Sequence, residues 1–203
     1  FLNEKNKVEL KKLYQKSSLN LFIISGFIFL AIIVNINQLY TMIPESYSEG
    51  FLVVLVIGLA KLFDNLLGNN NAILFNSDYY RMVLVFGVML AILTVILNLV
   101  FIPVYGINGA AYASCITIFV YNTVKLLFVY SKFKIQPFTK ETFNSALLIL
   151  VCAFGLFFWE FPFHPIINMG LKSILLVLIY GLCVYKLNLS SEITGILNSF
   201  LKK

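Results

Sequence analysis

Lys61, Asp64, Asn65, Gly68, Asn69, Ala72 and Asn76 recur at helical spacing inside an otherwise apolar run. At 100° per residue, Lys61, Asp64, Asn65, Gly68 and Ala72 fall in one broad stripe. A cation, a carboxylate and side-chain amides on one face can hold a polar or anionic ligand, or can satisfy one another. Lys61 and Asp64 stand at i and i+3, close enough to pair, and pairing reduces the cost of taking both charges out of water. The stripe therefore reads in two ways, as an internal ion pair or as the lining of a polar transport cavity. Gly68-Asn69-Asn70-Asn71 wraps most of the helix circumference, which predicts that this part of the helix is wet or broken. The candidate cavity residues are Lys61, Asp64, Asn65 and Asn69.

The remaining reactive side chains do not assemble into a catalytic pattern. His164 is the only histidine and sits between Pro162 and Pro165, with Glu160 as its nearest acidic neighbour in sequence. One histidine without flanking ligands does not make a zinc site. Cys115, Cys152 and Cys183 all lie in apolar stretches, and an odd count without metal spacing argues against a disulfide framework. Phosphate-binding glycine loops, zinc-protease histidine pairs and nucleophile elbows are missing from the sequence. The expectation is a protein that is not an enzyme, with no catalytic residue, no metal ligands and no cofactor.

The elements that must position this stripe follow from composition. Of 203 residues, 60% are apolar and 12% charged, against roughly 25% charged in an ordinary soluble domain. Mean hydropathy is +0.91. This excludes a disordered tail, a nucleic-acid-binding arm and a small secreted scaffold. A membrane-spanning helix needs about 20 mostly apolar residues. Six runs qualify: Ser18–Val34, Phe51–Phe75, Met82–Ile102, Ile107–Tyr130, Thr142–Phe161 and Ile167–Tyr185. They are too long and continuous for strands, and Pro and Gly punctuate their ends. The predicted fold is all-α, a polytopic transmembrane helix bundle of six spans. Lys61, ten residues into the second run, then lies about 15 Å from the outer end and near the bilayer midplane. A lipid-exposed charge there is expensive, so its face should look into a bundle or a water-filled cavity.

The basic residues set the orientation. Lys5, Lys7, Lys11, Lys12 and Lys16 precede the first run, and Arg81 separates the second from the third. Lys125, Lys132, Lys134 and Lys140 surround the fourth-to-fifth connection, and Lys186, Lys202 and Lys203 follow the sixth. The alternate connections carry Glu45 and Glu49, no charge, and Glu160 with His164, while Lys172 stands just inside the sixth run. The positive-inside rule then places both ends in the cytoplasm, with Glu45, Gly106 and His164 near the outer face. The expected divisions are a cytoplasmic leading segment over 1–17, the bundle over 18–186 and a cytoplasmic tail over 187–203. Both flanking segments carry apolar residues at helical spacing and could lie on the membrane surface. The chain opens on Phe1-Leu2-Asn3-Glu4 rather than Met, the expectation for a piece of a longer protein.

The fourth run carries a small-residue face, for which Gly106, Gly109, Ala110, Ala113 and Ser114 are the candidate packing residues. Small side chains let helices approach closely in lipid. Asn98, Tyr121 and Asn122 sit near span ends, where each could cap a helix, pair across helices or touch a polar substrate.

Leu97-Asn98-Leu99-Val100-Phe101-Ile102-Pro103-Val104-Tyr105-Gly106-Ile107-Asn108-Gly109-Ala110-Ala111 resembles the signature of bacterial polysaccharide exporters. These O-antigen and capsule repeat-unit flippases belong with the multidrug and oligosaccharidyl-lipid exporters. Met42-Ile43-Pro44-Glu45-Ser46-Tyr47 is similar to the family's short outer loop, with Ile43-Pro44 where Phe-Gly is usual. Leu66–Leu74 resembles the family's helix before a basic cytoplasmic turn. The likeness covers roughly residues 5–135 well and the last two spans by pattern. It implies the C-terminal half of a 12–14-helix exporter in the bacterial cytoplasmic (inner) membrane. The implied substrate is an undecaprenyl-pyrophosphate-linked oligosaccharide, moved by alternating access for surface polysaccharide synthesis. The implied partners are this lipid-linked oligosaccharide, membrane lipids and polysaccharide polymerase machinery, with no nucleic acid. A cation-coupled multidrug antiporter and a lipid II flippase are the alternatives within the superfamily. The antiporter would expect a dedicated acidic site, for which Asp64 is the one midmembrane acid.

Overall fold

Backbone polar groups that leave water without a neighbouring strand must be satisfied within their own segment, and the helix does this. The computed structural model of the protein describes residues 7–44, 47 and 50–201, and the regular elements among them are helical throughout. Seven helices follow in order: α1 (Lys7–Tyr40), α2 (Phe51–Leu66), α3 (Asn70–Phe75), α4 (Arg81–Phe133), α5 (Lys140–Phe157), α6 (Pro165–Lys186) and α7 (Ser191–Leu201). Among the described residues α1, α4, α5 and α6 are long and apolar enough to cross a membrane. The fold is all-α, with several long apolar helices suited to a membrane. Glu45, Glu49, Lys5, Lys202 and Lys203, used above for orientation, lie outside the described residues.

The chain divides into two compact units. One takes the residues up to Leu21 with Leu52–Phe138, and the other takes Phe22–Phe51 with Thr139–Lys203.

In the first unit α4 is the largest element. Its 53 residues would form a rod of about 80 Å if straight, but Gly106 interrupts it at φ 57, ψ −133. That backbone conformation is open to glycine and closed to residues with a Cβ. The two arms, 81–105 and 107–133, fold back on each other. A Cβ on Gly109 would come within 2.2 Å of the Phe101 carbonyl oxygen, whereas residues eight apart in a straight helix are separated by about 12 Å. Far from the bend, Phe86 and Phe128 meet edge-to-face at 5.4 Å. The expected third and fourth runs are therefore the arms of one helical hairpin, closed at Pro103–Gly106. Each arm is about 37–40 Å long, enough to cross a bilayer core.

One side of the first arm packs and the other is exposed. Leu84 is 74% exposed and Leu99 72%, with Val88, Ile92, Val95 and Ile96 between them also exposed. From 82 to 124 the sequence carries no charge. A helix face of this length without polar groups is suited to lipid. At the open end of the hairpin Leu10, Tyr14, Ile73, Leu74, Phe86, Val129 and Ile135 form one buried cluster. It ties the first turns of α1 and all of α3 to the two ends of α4. α1 runs unbroken through residue 17.

The second expected run, Phe51–Phe75, is divided. α2 ends at Leu66 and α3 begins at Asn70, with Gly68 at φ +59 between them. This bears on the choice between wet and broken made from Gly68-Asn69-Asn70-Asn71: the helix breaks.

The second unit holds the rest of α1 with α5, α6 and α7. Thr139 caps α5, its hydroxyl accepting from the Thr142 N–H while the Thr142 hydroxyl accepts from the Thr139 N–H, a reciprocal arrangement that satisfies two otherwise orphaned donors. His164 caps α6, its Nδ1 accepting from the Ile166 N–H at 3.4 Å, with Pro165 as the first helical residue. The one histidine thus has a structural task. Gly26 of α1 presses on the Ile149 side chain of α5, and the Tyr180 hydroxyl donates to the Ile23 carbonyl at 2.8 Å.

Candidate functional site: a buried polar network at a broken helix

Gly68 seats the break against α1. A Cβ at this position would lie 2.8 Å from Ser18 Cα and 2.9 Å from Ser18 N. The Ser18 hydroxyl donates to the carbonyl of Leu66, one of the acceptors that a helix end leaves unpaired. Asn69 Nδ2 donates to Ser17 Oγ at 2.7 Å, and the Tyr14 hydroxyl donates to Asn70 Oδ1. Asn70 is buried, and its Nδ2 has no protein partner.

The second α4 arm completes the network. Asn122, 1% exposed, donates through Nδ2 to Asp64 Oδ1 at 2.8 Å. Lys125, 4% exposed, donates to Asn71 Oδ1 at 3.0 Å, and its ammonium lies 4.3 Å from the Tyr121 ring centroid. Lys125 also lies within electrostatic reach of Asp64. A half-buried carboxylate and a buried ammonium thus share one cluster, with amides and a ring as their neighbours. Buried charges persist in proteins under such conditions.

The candidate residues divide accordingly. Asp64 and Asn65 are half-buried and Asn69 is exposed while bonded to α1. Lys61 is exposed. The ion-pair alternative, Lys61 with Asp64, is not what the side chains adopt. Asp64 turns instead to Asn122, and no hydrogen bond joins Lys61 to another described residue. The packing candidates also separate by role. Gly106 makes the bend and is exposed, Gly109 and Ala113 are buried, and Ala110 and Ser114 are half-buried.

Lys125 is the member that sequence reasoning missed, because it counted there among the basic residues of a connection. Its spacing held a signal: Tyr121, Asn122 and Lys125 stand at i, i+1 and i+4, one polar face on an apolar helix. Tyr14, Ser17 and Ser18 were legible as helix residues and not as partners of the asparagine run.

The second unit contains a smaller polar cluster. Lys172, 1% exposed, donates to the Val34 carbonyl at 3.2 Å. Asn35 Nδ2 donates to Ser173 Oγ at 3.1 Å and to the Ala31 carbonyl at 2.9 Å. Asn168 Nδ2 donates to the Phe161 carbonyl at 3.1 Å, and the Oδ1 atoms of Asn35 and Asn168 are buried without a protein partner.

No group of three or more His, Cys, Asp or Glu among the described residues is placed to hold a metal ion. The arrangement at the break offers amide donors and acceptors, a half-buried carboxylate within electrostatic reach of a buried ammonium, and one outlying cation, which suits binding a polar anion. No family model, no curated protein and no solved structure matches this chain.

Proposed function

We propose that this chain is part of a flippase that carries a polyprenyl-pyrophosphate-linked oligosaccharide across the bacterial cytoplasmic membrane for surface polysaccharide synthesis. Its work is transport rather than catalysis. The observation that carries the reading is Lys61, an exposed lysine ten residues into an apolar helix, while the acid three residues away is bonded to Asn122. A midmembrane cation that its own chain leaves available suits an anionic head group, such as a pyrophosphate. The helix that bears it breaks within two turns, and discontinuous helices commonly form the binding sites of transporters. The resemblance of Leu97–Ala111 to the exporter signature supports the same choice.

In this reading six segments cross the membrane: α1, α2 with α3, the two arms of α4, α5 and α6. Both ends of the chain are cytoplasmic, and the chain is the C-terminal half of a 12–14-helix exporter. Polysaccharide polymerase machinery receives the product.

The test is transfer of a labelled lipid-linked oligosaccharide across proteoliposomes by the full-length protein that carries this chain. Lys61→Ala should slow transfer about tenfold to a hundredfold, the value of one hydrogen bond to a charged group, with insertion unchanged. The exchange Lys61→Asp with Asp64→Lys should not restore it; restoration would make the two residues a structural pair. Cation-coupled efflux of small drugs with no glycan transfer would replace the flippase by an antiporter.

A further inference from the structure

We propose that the open end of the α4 hairpin is a docking surface for anionic phospholipid head groups, with Arg81, Lys132 and Lys134 as its cations. This inference rests on the chain spanning a bilayer, and on nothing about the transported substrate.

Three observations converge on this end of the first unit. The cations are held in place rather than left free. Lys132 Nζ lies 5.3 Å from the Tyr79 ring centroid and 5.9 Å from that of Phe128. Lys134 Nζ lies 5.6 Å from the Tyr130 ring, and the Arg81 guanidinium 5.7 Å from the Tyr80 ring. Tyr79 is itself wedged edge-on between Phe128 and Phe133, at 5.6 and 5.8 Å. Aromatic contact positions a cation without neutralising it, so each keeps its charge for a phosphate.

The boundary between apolar and charged surface is also sharp. Exposed Leu84 lies three residues beyond Arg81, and exposed Leu127 and Tyr130 precede Lys132. Tyrosines and cations at the end of an apolar face of about 30 Å mark head-group depth. The opposite end of the hairpin, at the Gly106 bend, carries no charge.

Finally, the buried cluster of Leu10, Tyr14, Ile73, Leu74, Phe86, Val129 and Ile135 brings the first turns of α1 to this same end. Lys7 and Lys11 are exposed there. Of the acids nearby, Glu9 is taken by Lys12 at 3.0 Å, and Asp78 in the α3–α4 turn is exposed. The patch stays strongly positive, and charge complementarity selects an anionic lipid over a zwitterionic one.

The experiment is native mass spectrometry of the full chain released from mixed micelles of phosphatidylcholine and phosphatidylglycerol. Phosphatidylglycerol should be retained preferentially, and less so as salt rises. Arg81→Gln, Lys132→Gln and Lys134→Gln should each cost about fivefold in that retention, and the triple variant on the order of a hundredfold. Retention of phosphatidylcholine, which reports folding, should not change, and Lys186→Gln in the second unit should behave as the parent chain does. Equal retention of the two lipids, or a triple variant that keeps the preference, overturns the proposal. Displacement of phosphatidylglycerol by millimolar inorganic pyrophosphate would make the patch a soluble-phosphate site and overturn it as well. A chain that fails to float with phosphatidylcholine vesicles overturns the membrane reading beneath it. Failure of glycan transfer with lipid preference intact strikes the proposed function alone.

Discussion

Gly68→Ala tests whether the break between α2 and α3 is fixed by its seat on α1. Two costs add at this position. At φ +59 a residue with a Cβ pays about 1–2 kcal/mol for the left-handed conformation. The new Cβ would also sit 2.8 and 2.9 Å from Ser18 Cα and N. Those are backbone atoms, so no rotamer change relieves the contact, and overpacking of this kind costs about 1–3 kcal/mol. The expected loss is about 2–5 kcal/mol. Two other glycines serve as controls. Gly106 also has positive φ, but nothing lies within 4 Å of its Cβ position; Gly106→Ala should cost strain alone, about 1–3 kcal/mol. Gly87 is helical with open space around it, so Gly87→Ala should cost nothing and gain up to about 1 kcal/mol. Reversible unfolding in mixed micelles with a denaturing detergent measures all three. The transfer assay should show Gly68→Ala impaired as well, since the break sets Asn69 and Asn70 against α1. A Gly68→Ala protein as stable as the parent, or no less stable than Gly106→Ala, would refute the seating of the break on Ser18.

Two further substitutions probe the networks of the two units. Lys125→Met removes the counter-charge of Asp64 along with the bond to Asn71, and should destabilise by about 1–3 kcal/mol. Adding Asp64→Asn should recover part of this, and a double-mutant coupling below about 0.5 kcal/mol would show that the two charges do not sense each other. Tyr180→Phe deletes the 2.8 Å bond to the Ile23 carbonyl and should cost about 1 kcal/mol in the same unfolding assay, with oligosaccharide transfer at the parental rate; a larger loss would mean that the tyrosine supports more than this one bond.

Composition and periodicity were enough to establish an all-helical chain with long apolar segments. Runs of about 20 apolar residues have one economical way to satisfy their backbone, and the pattern announces it regardless of partners. The hairpin at Pro103–Gly106 was legible for a similar reason: a proline that cannot donate and a glycine free to take positive φ are local properties. So was the weakness of Gly68-Asn69-Asn70-Asn71, whose residues favour turns over helix interiors. Partner choice was not legible. Lys61 and Asp64 stood at pairing distance along a helix, yet an i, i+3 pair is worth only a few tenths of a kcal/mol. A buried amide from another helix outweighs it, and only the approach of the second α4 arm brings Asn122 to Asp64. The burial of Lys125 was hidden on the same ground. In sequence it belongs to a basic connection; in the fold it lies beneath Tyr121 and reaches Asn71, because packing of α3 on the hairpin covers it. Sequence alone determined that the chain is helical and marked Pro103–Gly106 and Gly68–Asn71 as its weak points; the tertiary structure decided which polar groups meet, since that depends on faces brought together from residues more than fifty positions apart.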